Sequence, residues 1–253
     1  MHASQKNSCA VQPVSLRRVL RWQYFIRVRF GLAIALTTVA IYAVTVGAAR
    51  SASATGGQAR PSHQLVRAAY EAVSAGNLAG LSHLVSLGAS VNRQYMDGET
   101  LLMCAAVGGK VAIGRFLISR GAYVDAADGL GITPLGLAAM NDRIEMAKLL
   151  LSHGAKIEGV HQGYPPLRLA AEHGVVNAVR LLMRAGAQIN ARDTMDGDTA
   201  LIAAARQGHA QVVKILLAGG ANVKAANRQG ETAIKAATVG HHSAVLALLM
   251  EQR

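Results

Sequence analysis

Apolar residues recur along residues 65–253 as pairs of short runs, and each run has the spacing expected for one face of an α-helix. The stretch 128–158 is a representative pair, because turn-forming residues precede its first run and separate the two runs. Its apolar positions are Leu135, Ala138, Ala139, Ile144, Ala147, Leu150 and Leu151. The pattern predicts a turn followed by two helices of about eight to ten residues, which are too short to be stable alone.

Capping residues at the ends of these runs support the same prediction. Asp128 and Gly129 are turn formers, Thr133 is a good N-cap residue, and Pro134 suits the first helical position, where no backbone N–H is needed. Gly154 follows the second run, and a glycine there can take the left-handed conformation that ends a helix. Stability must then come from stacking one unit on the next.

This unit belongs to a sequence repeat with a period near 33 residues. A Gly-Ala dipeptide begins at positions 88, 121, 154, 186 and 220, so the intervals are 33, 33, 32 and 34 residues. A tripeptide led by Thr or Pro begins at positions 100, 133, 165, 199 and 232 and keeps the same step. The sequence therefore predicts an all-α repeat solenoid of about six turn–helix–helix units. These units span roughly 65–92, 93–127, 128–159, 160–192, 193–226 and 227–253.

The unit resembles the ankyrin repeat, in particular its exported or membrane-anchored bacterial type, over roughly residues 65–253. The resemblance rests on DGLGITPLGLAA from position 128, the paired leucines at 149–150 and HGA at 153–155. The first and last units depart from the pattern in ways that suit terminal caps. The histidine of the family's TPLH tetrapeptide is absent, so we expect lower stability than in an idealised array. The residues in its place are Met103, Gly136, Arg168, Ile202 and Lys235.

Residues 30–49 form a different kind of segment, because they are twenty consecutive residues without a charge. A helix of twenty apolar residues can span a hydrocarbon core of roughly 30 Å. The basic stretch 1–29 that precedes it would stay in the cytoplasm. Small residues follow the segment and offer an A-x-A cleavage pattern that ends at Ala54. The segment is predicted to be either a cleaved signal peptide or an uncleaved transmembrane anchor.

This leader sets the predicted domain organisation and localisation. Residues 50–62 are small and polar and form the predicted linker, and residues 63–253 form the predicted repeat domain. The alternative that 30–49 is a buried core helix is disfavoured, because nothing downstream has a matching apolar surface to enclose it. We expect the repeat domain to lie in the periplasm or at the periplasmic face of the inner membrane.

The net charge of +12 is typical of a nucleic-acid-binding protein, but its distribution argues against that function. Residues 1–60 hold eight of the 26 Lys and Arg residues and none of the 14 Asp and Glu residues. The other 193 residues therefore carry 18 basic and 14 acidic side chains, and their net charge is only +4. Both signs are interspersed there, as on a solvated surface, so we expect no nucleic-acid partner.

No pattern of catalytic or metal-binding residues is present in the sequence. The adjacent His241 and His242 would point about 100° apart on a helix, and His209 and His242 occupy a helix-start position of the repeat, so structural roles are favoured. No HExxH, CxxC or spaced Cys/His set occurs. Cys104 is expected to be a small buried residue of a first helix. We therefore expect no metal, no cofactor, no small-molecule substrate and no enzymatic activity.

The resemblance places a protein-binding surface on the finger turns and on the exposed side of each first helix. Apolar side chains among polar ones are typical of an interface core with a polar rim, and the acidic finger residues favour a basic patch on the partner. Gln162 and Asp196 lie on the same turns. The candidate contact residues are Met96, Asp97, Glu99, Leu130, Ile132, Met140, Asn141, Tyr164, Glu172, His173, Met195, Asp198, Arg206, Gln207, Arg228 and Glu231.

These features predict a non-enzymatic interaction module that holds a protein partner outside the cytoplasm. Two narrower roles are immunity against a periplasm-acting toxin and service as an accessory factor of a periplasmic oxidative-stress enzyme. A role of another class is that of a secreted effector directed at a host cell, which the leader disfavours, because general export and injection are alternatives.

Overall fold

A computed structural model of the chain describes residues 61–95, 98–160 and 163–251. Within these ranges the chain forms twelve α-helices, which follow one another as six pairs. The first helices of the pairs are α1 (Pro61–Ala75), α3 (Leu101–Gly108), α5 (Pro134–Met140), α7 (Pro166–Glu172), α9 (Ala200–Arg206) and α11 (Ala233–Val239). The second helices are α2 (Leu78–Ser86), α4 (Val111–Ser119), α6 (Ile144–Ser152), α8 (Val176–Arg184), α10 (Ala210–Ala218) and α12 (Ser243–Met250).

The helical repeat architecture predicted from the sequence is confirmed within the described residues. Helix α1 begins at Pro61, one residue before the predicted end of the linker at residue 62. The predicted leader, including the apolar segment 30–49, lies outside the described residues. Among the residues that are described, no helix combines the length and the apolar character needed to cross a membrane.

The helices are arranged as a stack in which each pair contacts the next. Each first helix packs against the first helix of the following pair, and from α4 onward each second helix packs against the next second helix. The seam between first helices consists of leucine and alanine, for example Leu135, Ala138 and Ala139, whose side chains are fully buried. Alanine at this seam lets neighbouring helices approach closely, so each short helix is stabilised by its neighbours rather than by its own propensity.

The local signals that predicted the helix ends are confirmed where the structure describes them. Thr133 caps α5, because its side chain accepts a hydrogen bond from a backbone N–H three residues later, and Pro134 occupies the first turn. Thr199 caps α9 in the same way. Gly154 has a φ of 82°, which is the left-handed conformation expected after α6.

Side chains at the start of three second helices tie their units to the unit before. His209 Nε2 donates to the carbonyl oxygen of Glu172 (3.0 Å), and His242 Nε2 donates to that of Arg206 (3.2 Å). Arg143 Nε makes the equivalent bond to the carbonyl oxygen of Val107 (3.0 Å). Each bond satisfies a carbonyl near the end of the first helix of the preceding unit. The structural role predicted for His209 and His242 is therefore confirmed.

Candidate partner-binding surface

Each finger turn with an Asp or Asn at its first position is built around that side chain. Asp193 Oδ1 accepts hydrogen bonds from the backbone N–H groups of residues 195–197 (2.8–3.0 Å). Asp128 and Asn227 make the corresponding bonds in their own turns (2.9–3.0 Å). All three side chains belong to buried residues. They therefore determine the shape of the turns and do not themselves face a partner.

Adjacent finger turns also touch one another. A Cβ atom at Gly163 would lie 2.0 Å from the carbonyl oxygen of Gly131 in the preceding turn, so only glycine fits at this contact. Arg228 donates through Nη1 to the carbonyl oxygens of Thr194 (2.8 Å) and Met195 (3.0 Å). These contacts hold neighbouring turns in a defined register.

A buried arginine lies beneath the finger turns of the fourth and fifth units. The Arg168 side chain is 1% exposed, and its Nη1 donates to Glu172 Oε2 at 2.7 Å. Its Nε lies 3.0 Å from Asp193 Oδ2, and its Nη2 lies 3.8 Å from Asp198 Oδ2. The guanidinium carbon is 4.7 Å from the centre of the Tyr164 ring, in a cation–π arrangement. Arg168 thus occupies the position of the family's TPLH histidine, and its ion pairs with Asp193 and Asp198 link the fourth unit to the fifth.

A second arginine extends these interactions to the sixth unit. Arg206 contacts Asp198 through two nitrogens, with Nη1 2.5 Å from Oδ2 and Nη2 3.0 Å from Oδ1. Arg206 Nη2 also lies 2.5 Å from Glu231 Oε2. Asn227 Nδ2 donates to Asp198 Oδ1 at 2.8 Å. We call the six charged residues the ion cluster: Arg168, Glu172, Asp193, Asp198, Arg206 and Glu231.

The ion cluster holds Asp198 ionised although its side chain is fully buried. Burial by itself would raise the pKa of Asp198, but hydrogen bonds from Arg206 and Asn227 and the nearby charges of Arg206 and Arg168 lower it below its usual range. Burial alone would lower the pKa of Arg206, and its bonds to Asp198 and Glu231 raise it instead. The two residues therefore remain charged and paired at neutral pH.

The structure brings together five of the predicted contact residues but buries some of them. Tyr164, Glu172, Asp198, Arg206 and Glu231 meet in or beside the ion cluster. The predicted residues that are buried are Ile132, Met140, Tyr164 and Asp198. Those that are half-buried are Glu99, Leu130, Asn141, Glu172, His173, Met195, Arg206 and Glu231. Gln207 and Arg228 are exposed, and Met96, Asp97 and Gln162 lie outside the described residues.

Sequence reasoning identified neither Arg168 nor Asp193 as a member of a charged site. The sequence signal for Arg168 was weak: Met103 and Ile202 take the same position in other units, but so does the charged Lys235. Nothing in the sequence indicated which carboxylates would pair with it. Asp193 lies 25 residues away along the chain, in the finger turn of the next unit.

The described residues give no sign of a metal or thiol site. No group of three or more His, Cys, Asp and Glu side chains that could hold a metal ion occurs among them. Cys104 is half-buried, and its Sγ lies 3.4 Å from Ser74 Oγ. Burial raises the pKa of the Cys104 thiol, so the nucleophilic thiolate is disfavoured.

Comparison with known proteins identifies the repeat. A family model described as "Ankyrin repeats (3 copies)" matches residues 69–159, 115–193 and 167–253. The chain belongs to the ankyrin-repeat family. The ankyrin fold is typically a non-enzymatic scaffold for protein–protein interaction, and no enzyme family is indicated for this chain.

Two curated relatives each match about a third of this chain. The chain is 37% identical over 91 residues to ankyrin repeat and KH domain-containing protein mask-1 of Caenorhabditis elegans, which is 36% of this chain and 4% of that protein. It is 40% identical over 86 residues to E3 ubiquitin-protein ligase XBAT33 of Arabidopsis thaliana, which is 34% of this chain and 17% of the relative. The matched segment thus spans less than a fifth of either relative.

Solved structures share this fold, and one of them serves as an example. A chain in the complex of a predatory endopeptidase from Bdellovibrio bacteriovorus with an immunity protein superposes with a TM-score of 0.64 and 28% sequence identity. The match covers 74% of this chain and 98% of that chain.

Proposed function

We propose that this chain is a non-enzymatic module that binds a protein partner through its finger turns and first helices. The observation that carries the proposal is the ion cluster at this surface. The side chains of Arg206 and Glu231 remain 31% and 28% exposed while they bond to each other. Because these side chains are already immobilised, they lose little rotamer entropy when a partner binds.

Apolar side chains next to the charged groups support the same proposal. Leu130 and Met195 are half-buried on the finger turns of the third and fifth units. Arg228, which bonds to the Met195 carbonyl, and Gln207 are exposed. An apolar centre with a polar rim is the usual composition of a protein interface. The net charge of only +4 outside residues 1–60 favours a protein partner over a nucleic acid.

Capture of partners by the tagged full-length chain tests this function. The test variant combines Leu130→Ala, Met195→Ala and Gln207→Ala, which shorten side chains at the proposed surface without touching the ion cluster. An interface with hot spots at these positions predicts at least a tenfold loss of a specifically captured protein, since each hot-spot truncation costs more than about 1 kcal/mol.

A matched control changes three exposed residues in the turns after second helices, namely Lys156→Ala, Gln188→Ala and Lys224→Ala. Both variants are first compared with the parent chain by circular dichroism and thermal unfolding. Retention of the captured protein by the control and its loss from the test variant supports the proposed surface. Equal capture by all three proteins contradicts it.

We propose that the module works in the periplasm or at the periplasmic face of the inner membrane. The uncharged segment 30–49 and the basic residues before it support this location. Alkaline phosphatase, which is active only after export, is fused to the C-terminus in the test. Activity that is lost when Arg residues are placed inside 30–49 is the expected result, and an inactive fusion with the intact leader would contradict the location.

Immunity against a peptidase toxin is the second candidate function. The solved complex that contains the similar chain joins an endopeptidase to an immunity protein, and this supports the candidate. If the neighbouring gene encodes a peptidase, the purified chain should abolish its activity near equimolar ratio. Unchanged turnover rejects immunity, and a neighbouring catalase gene would instead favour the accessory role. Detection of the intact chain inside host cells would favour the effector role.

A further inference from the structure

The second helices carry a row of basic side chains that the proposed function does not use. The fifth residue of α4, α6, α8 and α10 is basic, and all four side chains are exposed: Arg115, Lys148, Arg180 and Lys214. These helices pack against one another along the stack. Packed helices lie about 8–10 Å apart, so equivalent positions on neighbouring helices are separated by about one Debye length at 0.1 M salt.

Acidic side chains neutralise only one of the four cations in this row. The four helices hold a single acidic residue, Glu145, which pairs with Lys148 at 2.7 Å. Among the described residues, no carboxylate forms an ion pair with Arg115, Arg180 or Lys214. The carboxylates of the ion cluster lie instead on first helices and finger turns. The basic row therefore has the electrostatic character of a docking surface for an anionic partner.

A shallow groove of about 350 Å³ lies between α8 and α10 within this row. Arg180 and Lys214 line it, one from each helix, and Met183, Ile215 and Ala218 contribute apolar surface between them. The groove can thus accept an apolar side chain while the two cations contact carboxylates on either side of it. Arg can bind such a carboxylate through two nitrogens.

We propose that this groove and the basic row bind an acidic amphipathic helix of a protein partner. The helix would place an apolar side chain in the groove and carboxylates beside Arg180 and Lys214. An anionic membrane surface fits this groove less well than an acidic helix does. The apolar groups here are recessed in a groove, whereas membrane binding requires apolar side chains that protrude into lipid. The surface belongs to the second helices and is separate from the finger-turn surface of the proposed function.

Biolayer interferometry with the full-length chain in phosphatidylcholine nanodiscs tests this surface. The probes are a helical peptide with a central leucine flanked by glutamates, the same peptide with glutamine for every glutamate, duplex DNA, and phosphatidylglycerol vesicles. We expect the glutamate peptide to bind about tenfold more tightly than the glutamine peptide, the gain from two modest ion pairs. This preference should weaken between about 0.01 M and about 0.1 M salt, since the Debye length falls from about 30 Å to about 10 Å.

Three variants separate charge, position and shape. The double variant Arg180→Glu/Lys214→Glu should lose the preference for the glutamate peptide, and the control Lys156→Glu/Lys224→Glu, with the same change in net charge, should retain it. Ala218→Phe should weaken peptide binding, because the ring fills the groove and leaves both cations in place. Circular dichroism verifies that each variant is folded.

Equal binding of the two peptides, or equal effects of the test and control charge reversals, overturns the proposal. Unchanged binding by Ala218→Phe also overturns it, because the groove would then be unused. Stronger binding of vesicles or DNA that Arg180→Glu/Lys214→Glu abolishes would assign the row to a membrane or a nucleic acid instead. None of these outcomes depends on Leu130, Met195 or Gln207, so this test and that of the proposed function can fail separately.

Discussion

Replacing Arg168 by methionine tests how much the ion cluster contributes to the stability of the stack. The arginine side chain is 1% exposed, and it faces Asp193 and Asp198, whose side chains are 0% exposed. Methionine keeps an apolar contact with the Tyr164 ring but removes the positive charge. Asp198 would still be paired with Arg206, whereas Asp193 Oδ2 would lose the guanidinium nitrogen 3.0 Å away.

Removal of one partner from a buried ion pair costs about 3–5 kcal/mol, because the remaining charge stays buried without compensation. In a domain of this size each kcal/mol lowers the Tm by about 2–4 °C. The expected fall for Arg168→Met is therefore roughly 6–20 °C. Arg180→Met is the matched control, since Arg180 is exposed on α8 and surface substitutions usually change stability by less than about 0.5 kcal/mol.

Urea and thermal unfolding of the full-length chain, followed by circular dichroism, measure the difference. Arg168→Lys should fall between the parent chain and Arg168→Met, because an ammonium group keeps the charge but cannot make the forked contacts of a guanidinium. A loss of stability for Arg168→Met no larger than that for Arg180→Met would refute the reasoning. The ion pairs of Arg168 would then only offset the cost of their own burial.

Three further predictions concern single contacts. The folded pKa of Asp198 lies below its unfolded value, so its charge stabilises the fold above about pH 4 and this contribution is lost as the pH falls further. Asp198→Asn should thus be less stable at pH 7 and should show a flatter pH dependence of the urea midpoint below pH 4 than the parent chain. His242→Ala removes the bond to the Arg206 carbonyl and should cost about 1 kcal/mol in urea unfolding, whereas the exposed His83→Ala should cost nothing measurable. Thr133→Ala removes an N-cap and should cost about 1 kcal/mol, and Thr133→Ser should restore most of it.

The helix pairs could be predicted because the signals that define them are local. Thr133 caps a helix through a backbone group three residues away, and Gly154 ends a helix through its own φ. Ala138 and Ala139 lie at the seam between first helices, and the equivalent alanine pairs of other units are buried in the same way. Signals of this kind act within one unit and recur at each step of the repeat, so the sequence pattern alone was sufficient for the fold.

The candidate surface was predicted less well, because exposure depends on how neighbouring units meet. Met140 and Tyr164 were expected to face a partner, but the structure buries both of them. The ring of Tyr164 covers Arg168, which the sequence marked only as a missing histidine. A property of this kind depends on side chains from the next unit and has no local sequence signature.

The sequence by itself therefore determined the repeat, its period and the positions of its caps, because each unit is defined by interactions within about 33 residues. It also predicted a leader at residues 1–49, which lies outside the described residues. Only the tertiary structure decided which charges pair and which stay free. The partners of an ion pair can come from different units, as Arg168 and Asp193 do, and as Arg206 and Glu231 do. Stacking of the units brings these charges together. The same stacking leaves Arg180 and Lys214 exposed on the second helices.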